Sequence, residues 1–381
     1  LSAPIPAKDN KMIIAKDTLS KQDLLSSDQW SDYKFQMKNA IRTKSQLETW
    51  VTLSDTELRG IEQTESQYKW MITPYYASLM DETNENCPIR LQSIPHPQEV
   101  DESNQQEDVD PVGDMVYMKT RRVVHKYPNR VIFLVSDTCP VYCRHCTRKF
   151  HTTDKSGSYY NKELPASYDQ DIEYIASNKN ISDVLLTGGD PLILSDKLLH
   201  SIISRLNAIP HVDFVRIGSR YPVFLPQRIT DDFCKMLSEF KSIWFSTHFN
   251  HPVEVTPEAL CAVDKLLTHG IPVQNQTVLL RGVNDEVETL RTLNRMLVKG
   301  RVRPYYLYHA DNVQGVSHFR TSIEKGLEIM EQLHGYETGF SVPQYVYTTK
   351  LGKIPLNNQY FYKLGSKKFV LGYDHKTLEI F

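Results

Sequence analysis

From residue 131 onward the chain alternates between two hydrophobic periods. Short β-branched or apolar runs recur: VIFLV at 131, DVLLT at 183, DFVRI at 213, SIWFS at 242, IPVQNQT at 271 and VRPYYLY at 302. After the first, they begin about 30 residues apart, and runs of this kind read as strands. Between them lie segments of helical period. Thr256-Pro257, then Leu260, Val263 and Leu267, then Gly270 supply a cap, a proline in the first turn, an apolar stripe and a terminating glycine. Val287, Leu290, Leu293 and Leu297 before Gly300 repeat the pattern, as do Ile323, Leu327, Met330 and Leu333 before Gly335. Strands alternating with helices predict an α/β fold of βαβ units on a parallel sheet. Periodicity alone leaves an open doubly wound sheet and a partial barrel as equal solutions.

The flanks read differently. Residues 1–27 are polar and patternless, which predicts a poorly ordered tail. Trp30, Tyr33, Phe35, Met37 and Ile41 begin a helical stretch reaching Thr64, and Ser54-Asp-Thr-Glu57 is a capping-box start. Residues 94–115 carry three prolines and an acidic run from Glu99 to Asp110, the signature of a linker or surface loop. Beyond residue 340, SVPQYVY, NQYFYKL and KKFVLGY suggest a small antiparallel appendage. The chain thus divides into a tail (1–27), a helical region with an acidic linker (28–125), a strand–helix unit (126–336) and a C-terminal segment (337–381).

Composition narrows the function classes. With 44 Lys+Arg against 46 Asp+Glu, a net charge of −2 gives no reason to expect nucleic acid or a polybasic membrane surface. No apolar run approaches the ~20 residues of a membrane span, and no charged-then-apolar signal pattern follows Leu1. Six cysteines in 381 residues make no disulfide scaffold, so a reducing, cytoplasmic setting is expected. Their placement says more. Cys87, Cys234 and Cys261 are scattered, while Cys139, Cys143 and Cys146 form C-x3-C-x2-C directly after the first strand. In parallel α/β proteins the active site is built at that end of the strands. Iron–sulfur clusters normally take four cysteines; three would leave one iron open to a ligand. Zinc is the alternative, with His145 completing the set, although structural zinc sites favour paired knuckles.

With Thr187-Gly188-Gly189-Asp190-Pro191 ending the second strand, the cysteine loop resembles the radical S-adenosylmethionine (SAM) superfamily. Longer stretches resemble the lysine 2,3-aminomutase family in particular: CRHCTR (143–148), RIGSR (216–220), LPQRIT (225–230), THFNHP (247–252), NQTVLLRGVND (275–285), RVRPYY (301–306) and HFRT (318–321). The resemblance covers roughly residues 28–370. It implies a partial (β/α)6 barrel with an N-terminal helical extension and a C-terminal antiparallel appendage. It also implies an isomerase that moves an α-amino group to the β-carbon, with a 4Fe-4S cluster on Cys139, Cys143 and Cys146.

SAM would meet His145, Gly188, Gly189, Asp190, Ser219, His248 and Gln276, where two glycines permit close approach and a carboxylate receives an ammonium. Pyridoxal phosphate (PLP) would be anchored by Lys353 in Gly-Lys-Ile-Pro, beside Tyr308, with Lys126, Tyr127 and Arg130 clamping its phosphate. Arg148 would grip the substrate carboxylate with a guanidinium fork. An electron donor of flavodoxin or ferredoxin type and a homo-oligomer are implied as partners, while His251 and His318 read as structural.

Three departures qualify the match. The lysine's loop, TTKLGK, is two residues short, which makes Lys350 a competitor of Lys353. Of the two aspartates that lysine-specific members place around the substrate ammonium, only Asp311 is kept; the other falls at Thr348. Members acting on glutamate carry Lys at the position of Asp311, so a basic amino acid is expected here. The family's intersubunit zinc cysteines are missing, with Glu286 in one place and no cysteine after Cys261, so an oligomer would form without that metal. A mutase acting on a non-basic or modified amino acid is the alternative, and a zinc-stabilised binding protein the remote one.

Overall fold

The computed structural model describes residues 19–101, 107–156, 167–372 and 374–380. A nine-stranded sheet runs in sequential order: β1 (Val123–Tyr127), β2 (Arg130–Ser136), β3 (Asp183–Gly188), β4 (Phe214–Gly218), β5 (Ile243–Thr247), β6 (Val273–Leu279), β7 (Arg303–His309), β8 (Gln344–Thr349) and β9 (Gly352–Pro355). Strands β2 to β8 are parallel, and β1 and β9 close the two edges antiparallel. The sheet is barrel-like, and its first and last strands do not pair among the described residues, so the barrel stays open. Parallel strands need crossover connections. Helices Asp169–Ser177, Asp196–Asn207, Asp231–Ser238, Pro257–Thr268, Val287–Lys299 and Ile323–Leu333 supply them.

These helices form where their ends are chemically marked. The Thr256 hydroxyl accepts from the Ala259 amide with Pro257 in the first turn, and Ser195, Thr230 and Ser322 cap three others. The strands alternate accordingly. In β4, Val215 and Ile217 are buried under the helices while Arg216 between them is half-buried, an arginine in an otherwise apolar strand.

The sequence expectations need four corrections. Residues 1–18 of the expected tail lie outside the described residues. Lys21–Leu25, also within it, is a helix that Ser20 and Asp23 close with a capping box over buried Leu24. The Trp30–Thr64 stretch breaks into Tyr33–Lys38, Lys44–Leu47 and Asp55–Thr64, because Asp32, Thr43 and Ser54 each cap a new start. SVPQYVY belongs to the parallel sheet as β8: Tyr345 and Val346 are both buried, and the Tyr345 hydroxyl lies 2.8 Å from His309 Nδ1. The antiparallel appendage proper is β10 (Phe361–Leu364), β11 (Lys367–Leu371) and β12 (Thr377–Ile380). One continuous apolar core reaches from Leu24 to Tyr345, so the N-terminal helices pack into the same core as the barrel. Among the described residues no helix is long and apolar enough to cross a membrane.

The acidic linker is not a solvated loop where it is described. Glu99 is wholly buried and accepts Nε of Arg144 at 2.8 Å, Nη2 of the same arginine, and Nζ of Lys149 at 2.6 Å. Burial alone would raise its carboxyl pKa, but the two cations hold it well below the carboxylate range. Burial pulls the Lys149 ammonium down to about 8, so all three groups are charged at neutral pH. Removing one partner of such a set strands the others. Glu99→Gln is therefore expected to cost about 3–5 kcal/mol of unfolding free energy, read as a lower denaturant midpoint. An unfolded glutamate titrates near ~4.3, and the folded carboxyl lies below it. The wild-type advantage is complete above that pH and shrinks as the pH falls through and below it; a gap as wide at pH ~3 as at neutral pH would refute the assignment.

Candidate active site

The cysteine loop leaves β2 and is gripped on both sides by backbone. Tyr142 N–H donates to the Met71 carbonyl at 3.2 Å and Arg144 N–H to the Gln92 carbonyl at 2.9 Å. This lays Cys139, Cys143 and Cys146 partly exposed toward the barrel mouth. Burial raises the Cys139 thiol far above its ordinary pKa and takes Cys146 up to about 11, so these protons leave when metal takes their place. Each thiol acts electrostatically on its neighbours. Yet among the described residues no three His, Cys, Asp or Glu side chains converge tightly enough to hold a single ion. The His145 Nε2 lies 3.4 Å from Asn250 Nδ2, its Nδ1 is buried without a partner, and burial lowers the pKa of the ring.

The glycines at the end of β3 have a closer reason than a ligand. A Cβ on Gly188, whose φ is +133°, would collide with the Ser136 carbonyl, and one on Gly189 with the Thr138 backbone. Gly189 N–H donates to Ser136 O at 2.6 Å and Asp190 N–H to Thr138 O at 2.8 Å, so this turn carries the start of the cysteine loop. The Asp190 carboxylate takes the Leu192 amide (3.0 Å), the Ser219 hydroxyl (2.8 Å) and the Arg220 amide (2.8 Å). A carboxylate has room for about four donors, which leaves roughly one acceptor position for a ligand ammonium. Ser219 stands behind Asp190. His248 is half-buried, with its pKa lowered to about 3 by burial and by Arg220 and Lys353.

Lys353 opens into the same lumen. Its Nζ donates to the Tyr308 hydroxyl at 2.6 Å and lies 4.7 Å from the Tyr306 ring centre. The Tyr308 hydroxyl reaches on to Gln276 Oε1 at 3.5 Å, which brings Gln276 of the expected SAM set to the expected PLP lysine. Burial, then Arg216, Arg130 and Arg148, lower the lysine to about 7, which brings its free amine within reach near neutral pH. Lys350 is the opposite case, 60 % exposed and paired at 2.5 Å with Asp108, which raises its pKa. The shortened loop explains the difference. Lys350 and Leu351 form a two-residue turn between β8 and β9, which pairs Lys353 with Thr348 across the hairpin. Gly352 sits at φ +114°, where a Cβ would lie 2.7 Å from the Tyr127 hydroxyl.

The phosphate trio is only partly assembled. The Tyr127 hydroxyl accepts the Lys353 amide at 2.7 Å, and the Arg130 guanidinium stacks on the Tyr127 ring at 3.6 Å. Lys126 is engaged elsewhere, donating to the Val112 carbonyl and, at 2.8 Å, to the Thr349 carbonyl. Arg216, which the sequence reading missed, joins Arg130 beside Lys353 while anchored to Asp183 at 2.8 Å. The signal was available: a charged residue between two buried positions of a strand needs a reason. At the substrate end, Arg148 Nε pairs with buried Asp114 at 2.7 Å. Asp311 Oδ2 accepts the Thr147 hydroxyl at 2.5 Å, and its buried Oδ1 has no partner. Burial pushes Asp311 up to about 6, and its electrostatic neighbours are Arg148, Asp114 and Lys353. His251 caps the short helix Pro252–Glu254 through Nδ1, a structural role.

Residues 133–293 match the Radical SAM superfamily. The chain is 44% identical over 349 residues to the L-lysine 2,3-aminomutase of Fusobacterium nucleatum, covering 91% of this chain and 81% of that protein. It is 45% identical over 363 residues to the L-lysine 2,3-aminomutase of Methanococcus maripaludis, covering 94% and 83%. The glutamate 2,3-aminomutase of Clostridioides difficile is 41% identical over 358 residues, with 92% and 83% covered. A three-cysteine loop on a parallel barrel, an enclosed lysine in a ring of cations and this near-complete coverage agree: the chain belongs to the lysine 2,3-aminomutase family, radical SAM isomerases that work with a 4Fe-4S cluster, SAM and PLP.

Proposed function

We propose that the enzyme moves the α-amino group of a basic L-amino acid, lysine or arginine or a close relative, to its β-carbon. Identity does not choose the substrate, because lysine- and glutamate-named relatives stand at 44% and 41%. The observation that carries the proposal is Asp311: a half-buried carboxylate whose Oδ1 is buried and unclaimed, in electrostatic reach of Lys353 and Arg148. A cationic side chain would supply the missing donor, whereas an acidic one would face repulsion in a site of low dielectric. Thr348, neutral and opposite Lys353, favours a site less strictly selective for lysine than a two-aspartate site would be.

When bound, the cluster and SAM supply a 5′-deoxyadenosyl radical, and PLP carries the migrating nitrogen. The chain's own work is placement. Cys139, Cys143 and Cys146 would hold the cluster, and the turn from Gly188 to Asp190 with Ser219, His145, His248 and Gln276 would cradle SAM. Lys353 offers an amine that Tyr308 orients, Arg130 and Arg216 present cations to a phosphate, and the Arg148 fork receives the substrate carboxylate. We further place the enzyme in the cytoplasm, in keeping with six free cysteines, where a flavodoxin- or ferredoxin-type protein reduces it. A zinc-free homo-oligomer is supported by exposed apolar residues on the C-terminal sheet, Phe361, Leu364 and Leu378.

Turnover of an amino-acid panel by the reconstituted enzyme, scored for β-amino products, tests the substrate. Basic substrates should dominate; equal turnover of glutamate or alanine would overturn the proposal. Asp311→Asn should lower kcat/KM for lysine by about 2–4 kcal/mol, or roughly 30- to 1,000-fold. The free carboxyl titrates near 6, and the anion exists above that value. The wild-type kcat/KM for lysine should therefore fall as pH drops through about 6, and the variant should lack that limb.

The anchor has its own test. After borohydride fixation, peptide mass mapping should find the pyridoxyl group on Lys353, unchanged in Lys350→Ala and absent in Lys353→Ala. Because the free amine accumulates above about 7, the rate of PLP capture should rise with pH through that value. Labelling that moved to Lys350 in the wild type would reverse the assignment.

A further inference from the structure

Arg220 follows β4 and reaches across the barrel mouth to the cysteine loop. Its Nη1 lies 3.1 Å from Sγ of Cys143, and its Nε donates to the His248 carbonyl at 2.8 Å. Nη2 donates to Gln92 Oε1 at 2.7 Å and to Glu254 Oε1 at 2.8 Å. The ring of Phe224 lies 4.5 Å beneath the guanidinium. Glu254 is wholly buried and takes further donors: the Tyr76 hydroxyl (2.8 Å), Gln92 Nε2 (3.0 Å) and the amides of Asn250 (2.6 Å) and His251 (3.2 Å). A guanidinium is thus locked against a single sulfur, and its counter-charge is locked one position behind it.

Hydrogen bonds to the sulfurs and nearby fixed charge set the potential of an iron–sulfur centre. Reduction adds one negative charge to the cluster. A cation donating to a ligand thiolate stabilises that added charge, and a buried carboxylate opposes it; both effects are strong where water is excluded. Arg220 keeps its proton at every accessible pH, so the electron arrives without a proton being taken up here.

We propose that Arg220 and Glu254 are a potential-setting pair: Arg220 donates to the Cys143 thiolate and favours the reduced cluster, while Glu254 positions the fork and offsets part of its charge. The proposal rests on Cys143 being a cluster ligand. The step is a one-electron reduction of the 2+ cluster to 1+ by an external reductant, with no bond made or broken. The two residues act through the sulfur and are positioning residues.

The test is the midpoint potential of the reconstituted full-length enzyme, followed by electron paramagnetic resonance during a dithionite titration without substrate. Arg220→Gln should move the midpoint downward, by about 59 mV if the reduced-to-oxidised ratio falls tenfold for one electron. Glu254→Gln should move it upward, and Arg220→Lys, which keeps the charge and loses the fork, should fall between wild type and Arg220→Gln. A merely structural role would shift both positions the same way or change only the iron content. Equal midpoints at wild-type iron content, or shifts of one sign, would overturn the pair. If Arg220→Gln fails to hold a cluster, Arg220→Lys at the wild-type midpoint together with Glu254→Gln not above it would do the same. A wild-type chain that takes up no iron would instead overturn the cluster assignment, a separate result.

Discussion

The structure depends on holding one short loop rigid at the open end of a barrel. Three thiols fall within eight residues, and the loop between them has no regular secondary structure to hold it. Two buried carboxylates supply the constraint. Glu99 fixes Arg144 and Lys149 within and just beyond the cysteine motif, and Glu254 fixes Arg220 against Cys143. Buried ion pairs contribute little net stability, since desolvation of each charge cancels much of the attraction. What they do supply is geometry, because each charge has a single arrangement in which its donors or acceptors are satisfied. The N-terminal helices pack into the apolar core of the barrel, and in doing so they and the acidic segment bring Glu99, Gln92 and Met71 to this loop.

A second constraint works at the other wall of the lumen. Arg130, Arg148 and Arg216 set positive charge beside Lys353, partly offset by Asp311, by Asp114 on Arg148 and by Asp183 on Arg216. Such a field is costly when empty and favourable when anions arrive, as a phosphate and a carboxylate would. It also depresses the lysine, so one set of cations both recruits the anions and leaves the amine able to react. Lys126 lies outside this set: its ammonium ties the Val112 carbonyl to the Thr349 carbonyl at the end of β8.

Periodicity alone was enough for the six strand–helix units, because buried parallel strands and capped amphipathic helices leave strong local signals. It could not see that SVPQYVY would add a seventh parallel strand, since an apolar run does not say which neighbour it pairs with. Glu99, Asp110 and Asp114 were read as linker because local composition is acidic, yet they are buried. Their partners, Arg144 and Lys149 for Glu99 and Arg148 for Asp114, lie 34 to 50 residues away. The cysteines and the Gly-Gly-Asp turn were legible as a unit because they are adjacent on neighbouring strands. Arg216 and Arg220 were quoted in a motif without a role, since their partners come from other strands and from the N-terminal region.

The hairpin at residues 348–353 links the two departures that seemed separate in the sequence. A two-residue turn sets Thr348 directly across from Lys353, and side chains at such positions share a face with Cβ atoms roughly 5 Å apart. Shortening the loop therefore need not displace the lysine, because its position follows from strand register and from the Tyr127 hydroxyl on its amide. The register also makes residue 348 an electrostatic neighbour of the amine. An aspartate there would favour the ammonium form, whereas threonine leaves the lysine to burial and the arginines, which lower it to about 7. On the proposed reading, the residue that would relax recognition of the substrate side chain would thus also leave the amine of Lys353 with its lowered pKa.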